Sequence, residues 1–300
     1  MKALVTGATG FVGGRLAHAL ADQGIEVRAL VRDRRRAQSL AQAGIELHEG
    51  DVTRAESLEG AGEGVDVAYY LVHSMGRGGA GDFAAQERDA AHNFARMALA
   101  EGVERVIYLG GLGDKPGSKH LRSRHETALT LRRDGPPLTY FRAAMVVGAG
   151  SESYRTLRYL VGRLPVMIAP SWLRSPTQPI GVDATVEYLR RAPAVPESAG
   201  REVQIGGPDV LSYSEMLDRM AIAMGKRPRR KLPVPLISPE LSSLWLGLVT
   251  PVDTKVARPL VEGLRTPTVV TDPGGAAPFG IVPEPFDETL RRALAEEERG

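Results

Sequence analysis

The 300 residues include no cysteine, which excludes disulfide cross-links and thiolate chemistry. The six histidines, with no cysteine to accompany them, do not suggest a metal site. No apolar run approaches the ~18 residues of a membrane-spanning helix, and neither a repeat nor a low-complexity stretch is present. No charged-then-apolar leader precedes the first apolar strand, so a reducing cytoplasm is the expected location. Net charge is also scarce: the formal value is +2, and the sequence pI near 8.9 reflects a slight excess of arginine. Nucleic acid is therefore not an expected partner. The basic clusters Arg32-Asp-Arg-Arg-Arg36 and Lys226-Arg-Pro-Arg-Arg-Lys231 are either solvated faces or contacts to something anionic.

What is present is enough to fold. A hydrophobic content of 43% can bury a large core, in one large domain or two smaller ones. The chain is organised around its first stretch, Met1-Lys-Ala-Leu-Val-Thr6-Gly7-Ala8-Thr9-Gly10-Phe11-Val12-Gly13-Gly14. A short apolar strand runs into three glycines spaced three apart and then into a helical pattern. That order predicts a phosphate-binding turn: Gly7 makes the tight exit, Gly10 lets backbone N–H groups approach a pyrophosphate, and Gly13 lets the helix pack close to the sheet. Gly7, Thr9, Gly10, Phe11, Val12 and Gly13 are the expected cradle.

Alternating strands and helices follow. Helices are expected over 15–23, 34–43, 83–101 and 121–133, and strands over 26–31, 45–48, 65–72, 106–109 and 138–147. Six βα repeats predict a doubly wound parallel sheet of the Rossmann-like α/β class. The apolar run 65–72 reads as a central strand buried on both faces. Ligands in such sheets lie at the carboxyl ends of the strands, so Leu71, Val72 and His73 are expected along the cofactor ribose and pyrophosphate, unless His73 is only a polar cap. At the end of the second strand Val31 is neutral and Arg32 follows. An acidic side chain there would accept from the 2′-hydroxyl of NAD, and an arginine pairs with the 2′-phosphate of NADP, so NADP(H) is expected over NAD(H) unless Arg32 is an ordinary surface residue. The glycine-rich stretch 74–82 reads as a mobile flap.

Beyond residue 150 the alternation weakens and prolines accumulate. The expected division is 1–150 for an NAD(P)-binding domain and 151–300 for a smaller mixed α/β substrate or partner domain. The apolar stretch Leu241-Ser-Ser-Leu-Trp-Leu-Gly-Leu-Val249 either lines an apolar pocket or partner surface or is a buried helix.

The Gly-x-x-Gly-x-x-Gly turn, together with Tyr69-Tyr70-Leu71-Val72-His73-Ser74-Met75, Leu121-Arg-Ser-Arg124 and Ile205-Gly-Gly-Pro-Asp209, resembles the short-chain dehydrogenase/reductase superfamily. Within it, the chain looks like the atypical bacterial subgroup of NAD(P)H-binding, NmrA-like proteins. The resemblance implies that Asp51 and Val52 hold the adenine ring, that an aspartate selecting NAD would fall at Val31, and that residues 178–192 return to the first domain.

Typical members carry a serine at the end of the fifth strand and a Tyr-x-x-x-Lys pair on the next helix. Here the strand ends Leu109-Gly110-Gly111, and His120 and Arg124 stand at the places of that pair. His120 is either the proton donor or a helix cap, while Arg124 can bind ribose or pyrophosphate but cannot act as an acid at neutral pH. Other candidate donors are Tyr70, Tyr154 and a water.

Two readings follow. One is an NADP(H)-dependent oxidoreductase that reduces a carbonyl, quinone or enone of a small apolar substrate. The other is a non-catalytic NADP(H)-binding redox sensor or assembly subunit, in keeping with the similarity to NmrA-like regulators and to the nucleotide-binding accessory subunit of respiratory complex I. No metal site is expected, and nothing in the sequence specifies an oligomeric state.

Overall fold

A computed structural model describes residues 1–72, 83–113, 119–164, 166–234 and 266–299. The first half runs β1 (Lys2–Thr6), α1 (Phe11–Ala21), β2 (Glu26–Val31), α2 (Gln38–Gln42), β3 (Glu46–Glu49), β4 (Val67–Tyr70), α3 (Phe83–Ala100), β5 (Arg105–Gly111), α4 (Lys119–Asp134) and β6 (Leu138–Ala143). The second half adds β7 (Val146–Val147), α5 (Glu152–Arg163), β8 (Val166–Pro170), β9 (Pro176–Thr177), β10 (Ile180–Gly181), α6 (Val182–Arg191), β11 (Glu202–Ile205), β12 (Leu211–Ser212), α7 (Tyr213–Ala223), β13 (Arg230–Val234) and α8 (Phe286–Arg299).

Seven strands form one parallel sheet in the order β3-β2-β1-β4-β5-β6-β11. This is the Rossmann-like, doubly wound α/β fold. Strands inside such a sheet are covered on both faces and need continuous apolar sequence, and all four residues of β4 are buried accordingly. Alternate side chains feed two cores. On one face Val5, Tyr69, Ile107 and Leu109 pack with Leu16, Ala17 and Leu20 of α1 and Val182, Val186 and Leu189 of α6. On the other, Leu4, Ala68, Tyr70 and Tyr108 pack with Ala90, Ala91, Phe94, Met97 and Ala98 of α3. A third cluster joins α5, α7 and α8 through Tyr154, Leu157, Met216, Leu217, Met220, Phe286 and Leu290.

The structure adds to the sequence reading in three places. The sheet has seven strands rather than six, because Glu202–Ile205 returns from the second half to pair with β6. The expected strand over 138–147 is split by a bend at Ala144. Beyond it the Met145 carbonyl accepts from the Ile180 N–H at 3.0 Å, and β7 leaves the main sheet to pair with β10. Helix α1 starts at Phe11, four residues before the expected start, because Gly13 and Gly14 are absorbed into its first turn despite their low propensity.

The strand order changes direction between β1 and β4, and a topological switch point opens a crevice at their carboxyl ends. One side chain holds that crevice. The β1–β4 ladder ends at the Val5–Tyr69 pair. Past it, the fully buried Thr6 hydroxyl donates to the Tyr69 carbonyl at 3.1 Å and accepts from the Leu71 N–H at 3.0 Å. Thr6→Val keeps the shape but leaves the Leu71 N–H buried without a partner, so it is expected to cost about 1–3 kcal/mol in urea unfolding. A cost near zero would show that this contact does not hold the two strand ends.

Candidate functional site

The turn from Thr6 to Phe11 is built by contacts that exclude side chains. Gly7 has φ +66°, and a Cβ there would lie 2.5 Å from the Leu71 carbonyl oxygen. A Cβ at Gly13 would lie 2.2 Å from the Gly7 carbonyl oxygen, so α1 can approach the turn only through a glycine. Gly10 differs from both. It is exposed, and a Cβ on it would meet only the Gly7 oxygen, at 3.1 Å, and otherwise project into open space. Gly10 is also the N-cap of α1, with no side chain to accept from the first-turn N–H groups and no acidic residue in that turn. A helix N-terminus left this way is a site for an anion. Thr9 is exposed beside it. Val12 is half-buried against the core, and Phe11 packs its ring toward Gly148 and Gly150 with the Arg15 guanidinium 5.2 Å from its centroid.

The Leu71 carbonyl and Val72 N–H bound the same crevice, both being within contact distance of a Cβ placed on Gly7. His73 and the expected flap at 74–82 lie outside the described residues, as does the apolar stretch 241–249.

On the side of β1 away from β4, Arg32 is exposed just past β2. Asp51 faces it across the ends of β2 and β3. Burial pushes the Asp51 carboxyl up, but hydrogen bonds from the Thr53 N–H and hydroxyl and the charges of Arg32 and Arg54 outweigh this and hold it below the usual aspartate value. The Asp51 side chain is thus an anion held by Thr53, with the charges of Arg32 and Arg54 favouring its ionised form. The Val52 side chain is buried in the core beside α3, and its carbonyl accepts from the Asn93 amide at 3.0 Å.

The third part lies between β5 and α4. A Cβ at Gly111 would be 2.7 Å from a Leu121 methyl and 3.6 Å from Cδ of Arg124. The place of the missing serine is therefore walled by Leu121 and the Arg124 stem. Among the described residues the buried Arg124 Nε has no hydrogen-bond partner, and no acid pairs with this guanidinium. His120 lies one turn earlier on α4; its side chain is outside the described atoms. The two tyrosines considered as proton donors are not free for that role. Tyr70 is buried against Phe94 and Tyr108, and burial pushes its phenol far up. The Tyr154 hydroxyl donates to Glu297 at 2.9 Å, and burial with that carboxylate raises it too.

Two features were missed in the sequence. Arg142, the one charged residue of β6, donates to the carbonyls of Gly111 at 3.1 Å and Gly113 at 2.7 Å and to Glu202 at 2.6 Å, fixing the start of the β5–α4 loop. An arginine in the interior of a buried strand was the available signal. Thr266 and Thr268 face the same loop, 3.7 and 3.9 Å from a Cβ placed on Gly113, so the second half of the chain closes over this end of the sheet. No local pattern announces that contact. A cavity of about 320 Å³ lies elsewhere, between α6, residues 280–284 and α8. Its charged lining residues are already paired: Arg292 with Asp183 and Glu284, Arg191 with Glu187, and Glu296 with Arg15.

A sequence model of the NmrA-like family matches residues 1–181. The chain belongs to the NmrA-like family. A ceramide reductase of Caulobacter vibrioides is 25% identical over 248 residues, 81% of this chain and 78% of that protein. Among solved structures, the Citrobacter sp. triphenylmethane reductase complexed with NADP(H) superposes with a TM-score of 0.77 at 18% identity, covering 98% of this chain and 100% of that one. The NADPH-dependent quinone oxidoreductase of Escherichia coli complexed with NADPH gives a TM-score of 0.76 at 18% identity, with the same coverage. At these identities the structural likeness concerns the fold of this NmrA-like protein.

The turn makes a clear prediction about stability. Gly13→Ala forces a backbone shift under α1 and is expected to cost at least about 2 kcal/mol, whereas Gly10→Ala, which loses only a better N-cap residue, is expected to cost about 1 kcal/mol or less. Equal thermal midpoints for the two variants would contradict the packing described.

Proposed function

We propose that this NmrA-like protein is an NADP(H)-dependent oxidoreductase that reduces a quinone, enone or carbonyl of a small apolar substrate, working in a reducing cytoplasm. The observation that carries the reading is the Gly10 cradle: an exposed helix N-terminus with uncapped N–H groups and no side chain in front of it. On this reading the first turn of α1 holds the pyrophosphate, Asp51 and Val52 hold the adenine, and Arg32 meets the 2′-phosphate. Residues 1–150, with 178–192, carry the dinucleotide, and 151–300 supply the substrate side. The structural neighbours complexed with NADP(H) and NADPH, a triphenylmethane reductase and a quinone oxidoreductase, support the choice of cofactor and reaction.

Bound NADPH supplies a hydride. The protein supplies position and exclusion. Leu121 presents an apolar wall beside Gly111, and the Arg124 guanidinium, which pairs with no acid among the described residues, offers a cation to ribose, pyrophosphate or a developing negative charge on the substrate. With no hydroxyl at Gly111, Tyr70 buried among aromatic rings and Tyr154 bonded to Glu297, His120 or solvent delivers the proton. An acceptor whose reduced form carries negative charge on a conjugated oxygen depends least on such a donor, which favours quinones and enones over simple ketones. The missing hydroxyl equally favours the second reading, a sensor or assembly subunit that binds NADP(H) without turnover.

Two expected outcomes test these assignments. NADPH should bind at least tenfold more tightly than NADH, since a charge-assisted contact contributes roughly 1.5–3 kcal/mol, and Arg32→Ala should erase the difference in a fluorescence titration. Equal affinities in the wild type would remove Arg32 from cofactor selection. In a panel of quinones, enones and ketones, NADPH should be consumed with the conjugated acceptors, and His120→Ala should slow turnover by about 10²–10⁴ if the imidazole is the acid. Tight NADPH binding with no consumption across the panel would establish the sensor reading instead.

A further inference from the structure

Two stretches of this chain contain no acidic residue. Residues 153–182 include four arginines and residues 219–239 six lysines or arginines, with no Asp or Glu in either, in a chain whose net charge is only +2. The remainder is consequently net acidic, and the molecule is electrically lopsided. The fold brings the two stretches together. Strands β8 and β13 pair in parallel with Val166 opposite Arg230 and Met167 opposite Lys231. The Arg229 guanidinium donates twice to the Val161 carbonyl, at 3.1 and 2.9 Å, and ties the turn before β13 to the end of α5.

Alternation along the ribbon separates an inner face from an outer one. Met167 is buried, and Lys231 is spent on Asp218 at 2.6 Å and on Ser214. The outer positions carry Val166, 42% exposed, Arg230, and Leu232, 58% exposed. Beside them stand Arg163 at the end of α5, Lys226 and Arg227 in the turn, and Ile222 in the last turn of α7, 64% exposed. Arg163, Lys226, Arg227 and Arg230 make no ion pair among the described residues. Exposed aliphatic side chains interleaved with unpaired cations, and no acid among them, suit one kind of surface: guanidinium and ammonium groups pair with lipid phosphates while aliphatic side chains enter the boundary beneath.

We propose that the β8–β13 ribbon and the adjoining 225–229 turn dock the protein on an anionic lipid bilayer. The apolar substrate of the proposed reaction gives that docking a purpose, because a reductase held at the bilayer meets substrates that partition into it. To this extent the inference rests on the functional reading, but its test needs no turnover.

The test is co-sedimentation of the full chain with vesicles of phosphatidylcholine alone and of phosphatidylcholine with phosphatidylglycerol, across a salt series, with NADPH titrated in the same samples. The wild type is expected to bind the anionic vesicles at least tenfold better than the neutral ones and to lose binding as salt rises. Arg163→Gln, Arg227→Gln and Arg230→Gln combined should lower partitioning about a hundredfold, and Leu232→Asp about tenfold, with circular dichroism unchanged. Equal binding to both vesicle types, wild-type binding by the triple variant, or salt-sensitive binding to a short DNA duplex without vesicle binding would each overturn the proposal. Failure of vesicle binding with NADPH binding intact refutes this inference alone. Vesicle binding without NADPH binding supports it and refutes the functional reading.

Discussion

The carbonyl of Gly7 stands where the first strand, the first helix and the end of the fourth strand meet. It accepts from the Gly10 N–H at 2.8 Å, and it lies 2.2 Å from where a Cβ on Gly13 would be. On the other side of the same residue, the Leu71 carbonyl leaves no room for a side chain at Gly7. These contacts put the helix axis, with its uncapped N–H groups, over the switch point of the sheet, and the buried Thr6 hydroxyl keeps β1 and β4 at the spacing that this requires. The helix dipole then points its positive end into the crevice. Arg32 and Asp51 gain their positions from the same frame, since each follows a strand whose register is fixed by β1 or its neighbour.

The proposed chemistry is a consequence of what that frame leaves out. Gly111 has no hydroxyl, Leu121 fills the space, and Arg124 keeps a buried Nε without a hydrogen-bond partner among the described residues. A buried unpaired donor is costly unless a ligand accepts from it. Arg142 stands behind this loop and holds the Gly111 and Gly113 carbonyls, so the apolar wall and the cation stay in register with the strand ends.

Much of this was legible in the sequence because it is local. The glycine spacing, the alternation of β-branched strands with helical periods, and glycine stops after helices each depend on neighbours within a few residues. Strand β2 falls on its expected residues, and α3 buries Ala90, Ala91, Phe94, Met97 and Ala98 as its spacing implies. The seventh strand was not legible, because Glu202–Ile205 is short and joins β6 only through a contact some sixty residues away. The same holds for Thr266 and Thr268 beside Gly113, and for Tyr154, whose hydroxyl is committed by Glu297 from the last helix. Residue type suggested a proton donor there; burial and a distant carboxylate decided otherwise.

The most direct measurement is a crystal structure of the protein grown with NADPH. The pyrophosphate is expected over the first turn of α1 at Gly10, the 2′-phosphate against Arg32, and the nicotinamide toward Gly111 and Arg124. A dinucleotide lying instead in the cavity between α6 and α8, or crossing the sheet edge without contact to the Gly7–Gly13 turn, would contradict this placement.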